Sequence, residues 1–226
     1  MQTIGVIGAG QMGAGIAQVS AQAGFHVLLT DVSKERAEAG KASIAKALDR
    51  LVTKEKIDPA ARDQALARIE PIEGVHGMSS CGLVIEAATE REEIKRSIFA
   101  EVGKVLGHQA VLASNTSSIP ITRLAQASPD PKRFVGVHFF NPVPVMGLIE
   151  LIRGLATSDE TVKLVEDYAK ALGKKVVRAN DAPGFIVNRV LCRCSTKPVS
   201  RWARGSRRSP ISISPASWAS TTRWAR

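Results

Sequence analysis

Residues 3–13 read Thr-Ile-Gly-Val-Ile-Gly-Ala-Gly-Gln-Met-Gly, an apolar and β-branched run followed at once by three glycines spaced Gly-x-Gly-x-x-Gly. Small residues with a helical pattern follow in residues 14–23, and a second strand-like run, residues 26–30, ends at Asp31. This order of strand, glycine turn, helix, strand and acid is typical of an α/β sheet in which helices connect parallel strands.

The three glycines of this stretch have separate physical tasks. Gly8 permits the tight turn, Gly10 lets the backbone approach a pyrophosphate, and Gly13 lets the helix pack on the strand. The free N–H groups at the helix start favour phosphates. Asp31 can accept hydrogen bonds from both ribose hydroxyls and would repel a 2′-phosphate, so the sequence predicts NAD rather than NADP. The alternative is a glycine-rich turn in another kind of α/β protein.

The remaining chain continues this alternation of strands and helices. The charged residues 33–68, which break at Asp58-Pro59, predict a two-helix insertion after the second strand. Apolar runs that predict further strands lie at residues 82–88, 110–113, 134–139, 148–152 and 175–178, and helical patterns lie at 92–105 and 159–172. We expect a doubly wound, mostly parallel Rossmann-type sheet in residues 1–182. Residues 181–189 are a turn followed by a new apolar helix start, which predicts the boundary of a second domain in residues 183–226.

A histidine and a glutamate stand out in two of these runs. His138 lies near the end of residues 134–139, and Glu150 follows twelve positions later in residues 148–152. Histidine exchanges a proton readily near neutral pH. A carboxylate on its other ring nitrogen would fix the tautomer and stabilise the charged form. By themselves, the two residues are equally well explained as a core histidine and an edge-strand glutamate.

Polar residues follow two of the predicted buried strands. Glu90 and Lys95 come after residues 82–88, and the cluster Ser114-Asn-Thr-Ser-Ser118 follows residues 110–113. Ligands bind at the carboxyl ends of strands in open α/β sheets, so these side chains are site candidates. The alternatives are surface ion pairing for the first two and an N-cap for a helix starting near Pro120 for the cluster.

The net charge of +10 is concentrated at one end of the chain. Residues 191–226 contain eight Lys and Arg residues and no Asp or Glu, so residues 1–190 carry only +2. The sequence has no apolar run long enough for a membrane span and no secretory signal. Its three cysteines are too few and badly spaced for a disulfide framework or a zinc site. We expect a cytoplasmic protein with no metal and no membrane partner.

In combination, these motifs resemble those of one family, the L-3-hydroxyacyl-CoA dehydrogenases. The resemblance covers residues 1 to about 191 and is closest to the short bacterial 3-hydroxybutyryl-CoA dehydrogenases. The motifs that carry it, in family order, are the glycine turn, Ser114–Ser118, His138-Phe-Phe-Asn-Pro-Val, Glu150 and Pro183-Gly-Phe-Ile-Val-Asn-Arg. The resemblance implies oxidation of the 3-hydroxyl of an acyl-CoA by NAD, or the reverse, in fatty acid and butanoate metabolism.

The resemblance also implies roles for single residues. His138 would be the general base and Glu150 its orienting carboxylate, while Ser117 and Asn188 would hold the substrate oxygen. Asp31 would bind the adenosine ribose. The residues implied at the nicotinamide side are Glu90, Lys95 and Asn115. Lys54 falls where the family has a lysine near the CoA phosphates, and Ala47 departs from a family serine in the same region.

The last 35 residues do not follow the family, which continues into a helical domain that forms its homodimer interface. One interpretation is a basic, tryptophan-containing tail for nucleic acid. The interpretation we favour is a shifted reading frame after a single-nucleotide loss near codon 193. Residues 183–226 would then be a remnant of that C-terminal helical domain, in which residues 192–226 would be non-native or disordered. We expect no nucleic-acid partner and no dimer interface. The chain could also be a catalytically impaired NAD-binding fragment. A non-catalytic structural relative would be expected to lose His138 or Glu150, and both are present.

Overall fold

A computed structural model of the chain describes residues 2–195. Residues 2–191 form one compact unit, and of the residues after Leu191 only the backbone of 192–195 is described. The reading-frame hypothesis therefore concerns residues that lie almost wholly outside the described part. The domain boundary after residue 182 also stays a prediction.

One eight-stranded sheet with the strand order β3-β2-β1-β4-β5-β6-β7-β8 forms the centre of the compact unit. The strands are β1 Thr3–Ile7, β2 His26–Thr30, β3 Ile69–Pro71, β4 Leu83–Glu86, β5 Val111–Ser114, β6 Phe134–Phe139, β7 Leu148–Arg153 and β8 Lys175–Asn180. The helices are α1 Gln11–Gln22, α2 Lys34–Thr53, α3 Pro59–Ala67, α4 Glu92–Val102, α5 Ile121–Ala125, α6 Asp159–Ala171 and α7 Val187–Ser195. Strands β1 to β6 are parallel, β7 is antiparallel to β6, and β8 is parallel to β7.

Helices cover both faces of the sheet, as the doubly wound prediction requires. Apolar residues of α1, α2, α3 and α6 pack in one core with alternate strand residues such as Ile4 and Ile85. Residues of α4 and α5 pack in a second core with the intervening residues, such as Val84. Strands buried on both faces read as continuous apolar runs, because every side chain meets a helix. The predicted fold class is confirmed.

The two-helix insertion is present as α2 and α3. Asp58 caps α3, since its carboxylate accepts a hydrogen bond of 2.6 Å from the Ala61 N–H, and Pro59 occupies the first helical position. The short strand β3 was not predicted. It contains Pro71, which lacks an N–H and is tolerated there because β3 lies at the edge of the sheet. A run of three residues carries too little periodicity to be recognised.

The strand directions decide where functional side chains can meet. The carboxyl ends of β1, β4, β5 and β6 lie at one edge of the sheet. Because β7 returns antiparallel to β6, its early residues lie beside the late residues of β6, and Glu150 pairs directly with His138.

No helix in the described part of the chain is long and apolar enough to cross a membrane.

Candidate active site

The glycine turn between β1 and α1 is shaped by close packing of backbone. Gly8 has a φ of +101°, and a Cβ there would lie 2.7 Å from the Ala87 carbonyl oxygen. A Cβ on Gly13 would collide with the Gly8 carbonyl oxygen. Gly10 differs, because a Cβ there would meet no atom within 4 Å. The first and third glycines therefore serve the packing, while Gly10 borders open space at a helix start that no side chain caps.

Asp31 is fixed against this turn by three donors. Its Oδ2 accepts from the Ala9 N–H at 2.6 Å, and its Oδ1 accepts from the Val32 N–H at 2.8 Å and from Arg36 Nε at 3.1 Å. Partial burial alone would raise the pKa of Asp31, but these hydrogen bonds and the nearby guanidinium hold it below its ordinary value. The carboxylate is therefore an anion at neutral pH. Arg36 was not singled out from the sequence.

His138 and Glu150 form a buried pair across β6 and β7. His138 Nδ1 lies 2.7 Å from Glu150 Oε2, and the side chains are 8% and 0% exposed. A carboxylate can only accept, so Nδ1 carries a proton, and in the neutral imidazole Nε2 then keeps its lone pair. The rings of Phe140 and Phe185 lie 4.7 and 5.8 Å from the imidazole, measured between centroids. Neither residue of the pair stands on an edge strand, since β8 covers β7.

The second oxygen of Glu150 binds the start of α7. Its Oε1 accepts from the Ile186 N–H at 3.0 Å and from the Val187 N–H at 2.8 Å. A helix start leaves backbone donors without partners, and a buried carboxylate satisfies them well. Asn188 is the next residue of α7. Glu150 thus holds the histidine with one oxygen and the segment that carries Asn188 with the other.

A pocket of about 340 Å³, which we name the His138 pocket, lies at the carboxyl ends of β4, β5 and β6. It is lined by Met12, Ala87, Ala88, Thr89, Glu90, Lys95, Asn115, Ser117, His138, Phe139, Phe140, Asn141 and Asn188. Six side chains predicted for the site from the sequence line this one pocket: Glu90, Lys95, Asn115, Ser117, His138 and Asn188. They come from four separate stretches of the chain.

Glu90 organises the loop after β5. One of its oxygens, Oε1, accepts from Thr116 Oγ1 at 2.7 Å, from Ser118 Oγ at 2.9 Å, and from Ser117 through both N–H at 2.9 Å and Oγ at 3.1 Å. Burial alone would raise the pKa of Glu90, but these donors and the Lys95 ammonium hold it below its ordinary value. Glu90 is therefore more than a surface ion-pair partner.

The polar cluster after β5 does not cap α5. The first two N–H groups of that helix donate instead to the carboxylate of Asp181, at 2.7 Å each. Asp181 directly follows β8. Asn115 Oδ1 accepts from the Phe139 N–H at 2.9 Å and so joins the ends of β5 and β6. This arrangement leaves the Asn115 side-chain amide as a donor at the wall of the His138 pocket.

Glu86, the last residue of β4, was not recognised in the sequence. Its carboxylate is fully buried and lies 2.6 and 2.9 Å from the Lys95 ammonium, which is itself 1% exposed. A single charged residue that ends an otherwise apolar strand was the available signal. Lys95 is thus a fully buried cation rather than a surface one.

A second depression, which we name the α2 cleft, lies between α1, α2 and the loop after β6, with a volume of about 750 Å³. Asp31, Arg36, Ala47 and Arg50 are among its lining residues. Lys54 is the C-cap residue of α2 and lies outside this lining. Arg50, one helical turn earlier, is a cation on the cleft that sequence reasoning missed.

The chain is similar to proteins of known family. Residues 3–182 match the family described as "3-hydroxyacyl-CoA dehydrogenase, NAD binding domain". The 3-hydroxybutyryl-CoA dehydrogenase of Bradyrhizobium diazoefficiens is 51% identical over 191 residues, which are 84% of this chain and 65% of that protein. The 3-hydroxyadipyl-CoA dehydrogenase of Escherichia coli K12 is 44% identical over 84% of this chain and 40% of that protein.

A solved structure is similar as well. The crystal structure of (S)-3-hydroxybutyryl-CoA dehydrogenase from Ralstonia eutropha superposes with a TM-score of 0.84 at 46% identity, over 86% of this chain and 69% of that one. The chain therefore spans just under two thirds of the Bradyrhizobium relative and slightly more of the Ralstonia one. It belongs to the 3-hydroxyacyl-CoA dehydrogenase family and carries the NAD-binding domain of that family.

Proposed function

We propose that the chain oxidises (S)-3-hydroxyacyl-CoA to 3-ketoacyl-CoA with NAD, or catalyses the reverse reduction. The observation that carries this proposal is the buried His138–Glu150 pair at the wall of a pocket that also holds Ser117 and Asn188. An oriented base beside two side chains that can bind an oxygen is what deprotonation of a secondary alcohol requires.

The residues present fit NAD. Open space beside Gly10 and the uncapped start of α1 suit a pyrophosphate, and the anionic Asp31 suits ribose hydroxyls. Glu90, Lys95 and Asn115 at the His138 pocket would hold the nicotinamide side. When bound there, NAD would supply the acceptor for a hydride.

The chain's own residues would handle the proton. With Nδ1–H held by Glu150, His138 Nε2 is the ring nitrogen free to take the hydroxyl proton of the substrate. The imidazolium that forms is stabilised by the adjacent carboxylate. Asn188 would donate to the oxygen on which negative charge grows, and Ser117 would do so by turning its hydroxyl from Glu90 to the substrate. In reduction, His138 would return its proton to the same oxygen.

A short acyl chain is the substrate we favour, in line with the relatives that are named for 3-hydroxybutyryl-CoA. Asp31 and Gly10, which would hold NAD, also line the α2 cleft, so the CoA part would occupy only the Arg50 end of this cleft, where the guanidinium offers a cation for its phosphates. Oxidation of NADH by the 226-residue chain with acetoacetyl-CoA tests the whole proposal. Binding of NADH without turnover would instead favour an NAD-binding fragment. No binding of NADH at all would contradict both.

The NAD preference predicted from Asp31 can be tested by removing its charge. Asp31→Asn keeps an acceptor for the Ala9 N–H and leaves Arg36 free to pair with a 2′-phosphate. We expect the ratio of the NADPH to the NADH dissociation constant to fall by about 10- to 100-fold. Fluorescence titration of the two reduced cofactors measures it. Adding Arg36→Gln should reverse the gain, and an unchanged ratio in Asp31→Asn would contradict the role of the charge.

Arg50 and Lys54 lie four residues apart on α2 and make a matched pair of variants. Arg50→Gln should raise the KM for acetoacetyl-CoA about five- to tenfold, because a charge-assisted contact to phosphate is lost. Lys54→Gln should change the KM by less than about twofold, because exposed charges outside a site contribute little. The affinity for NADH should stay the same in both. The reverse ranking would favour Lys54 as the phosphate ligand.

Two further expectations belong to this proposal. The NAD-binding domain would end near residue 182, and the chain would be cytoplasmic. Sequencing of the DNA across codons 185–226 tests the frame hypothesis, and an intact frame with no readable alternative would contradict it.

A further inference from the structure

Glu86 and Lys95 form an ion pair that is removed from solvent. Glu86 is 0% and Lys95 1% exposed, and the ammonium lies 2.6 and 2.9 Å from the two carboxylate oxygens. Taking two charges out of water is costly, and an apolar pair of similar volume is often as stable or more so. Stability alone therefore gives a weak reason for this pair, whereas buried charges beside a pocket commonly serve its chemistry.

The contacts of Glu86 all lead to the wall of the His138 pocket. Besides Lys95, its carboxylate accepts from the Ala88 N–H at 2.9 Å and from Ser114 Oγ at 3.0 Å. Ala88 and Lys95 line the pocket, and Ser114 directly precedes the lining residue Asn115. Glu86 itself is not part of the lining. It ties together the connection after β4, the first turns of α4 and the end of β5.

Lys95 in turn faces the carboxylate of Glu90, which organises the loop that carries Ser117. Its ammonium lies 3.9 Å from Glu90 Oε2, and Oε1 of Glu90 accepts the four hydrogen bonds from the Thr116–Ser118 loop. A continuous chain of charged and polar contacts thus runs from Glu86 through Lys95 and Glu90 to Ser117. The charges of Glu86 and Lys95 cancel, so within this chain of contacts the charge of Glu90 stays uncompensated.

We propose that Glu86 is a positioning residue for the His138 pocket: it holds the buried Lys95 ammonium against Glu90 and so sets the wall that receives the nicotinamide. This inference rests on the function proposed above. Glu86 acts only through other residues, and it acts at one end of the dinucleotide. The adenosine end of the dinucleotide would be held by the glycine turn and Asp31, which lie much earlier in the sequence than Glu86.

The test compares NADH with ADP-ribose, which lacks the nicotinamide, by calorimetric titration of the full chain. Glu86→Gln should weaken NADH binding about tenfold and change ADP-ribose binding by less than about twofold. A merely structural role would weaken both ligands alike. Val84→Ala is the control, because Val84 is buried in the same strand but belongs to the core on α4 and α5. It should lower the unfolding temperature without changing the ratio of the two affinities.

Glu86→Gln leaves a buried ammonium without its counter-charge, so a second variant guards against misfolding. The double variant Glu86→Gln/Lys95→Met removes both charges and should show the same selective loss of NADH affinity as Lys95→Met. Losses that multiply would mean independent roles and would overturn the inference, as would equal weakening of both ligands or no weakening at all. If the wild-type chain binds neither ligand, the proposed cofactor site fails. If the wild-type chain binds NADH tightly and Glu86→Gln binds it equally well, the inference about Glu86 is overturned while the proposed cofactor site stands.

Discussion

His138→Gln is expected to lower kcat for acetoacetyl-CoA reduction by about 10³-fold while changing the NADH dissociation constant by less than about threefold. Glutamine fills a similar volume and can still bond to Glu150, but it cannot take up and return a proton near neutral pH. The loss therefore falls on the chemical step and leaves cofactor binding in place. Steady-state kinetics and NADH fluorescence titration measure the two quantities.

The matched control for this variant is His26→Gln. His26 is half-exposed at the start of β2, beside Glu70, and makes no part of the His138 pocket. The same chemical change there should leave kcat within about twofold of wild type, because surface substitutions away from a site have small effects. Equal turnover by His138→Gln and wild type would rule out His138 as the base.

Glu150→Gln is expected to reduce kcat by about 10²- to 10³-fold through the tautomer of His138. The Ile186 and Val187 N–H groups require an acceptor, so the glutamine oxygen will face them. Its amide N–H₂ then faces His138 Nδ1 and forces that nitrogen to accept. The proton moves to Nε2, which loses the lone pair that the mechanism needs.

The nitrogen chemical shifts of the His138 ring report this change directly. Wild type should show the proton on Nδ1 and Glu150→Gln should show it on Nε2. Glu166→Gln is the control, because Glu166 makes an exposed ion pair with Arg178 and contacts neither the imidazole nor α7. An unchanged tautomer in Glu150→Gln, or undiminished turnover, would contradict the orienting role of the carboxylate.

Much of the site could be predicted because its residues are marked locally. The glycine turn, the acid at the end of β2 and the polar cluster after β5 each stand next to an apolar strand, so their edge of the sheet follows from strand polarity. Glu86 escaped detection because its one local signal, a charge at the end of an apolar strand, does not show what the carboxylate contacts. Its partners Lys95 and Ser114 lie nine and 28 residues away and are brought together only by packing.

The sequence by itself determined the glycine turn and the order of strands and helices apart from β3, since these depend on short-range patterns. The family resemblance, and not the local pattern, marked His138 and Glu150 as a pair. Only the tertiary structure decided what those residues touch. The antiparallel return of β7 places Glu150 opposite His138, and the second oxygen of Glu150 reaches Ile186 and Val187 at the start of α7, 36 and 37 residues further on. Likewise, α2 places Arg50, and not Lys54, on the cleft. These relations arise from strand register and from the way helices cover the sheet, which are properties of the packed chain and not of any single stretch.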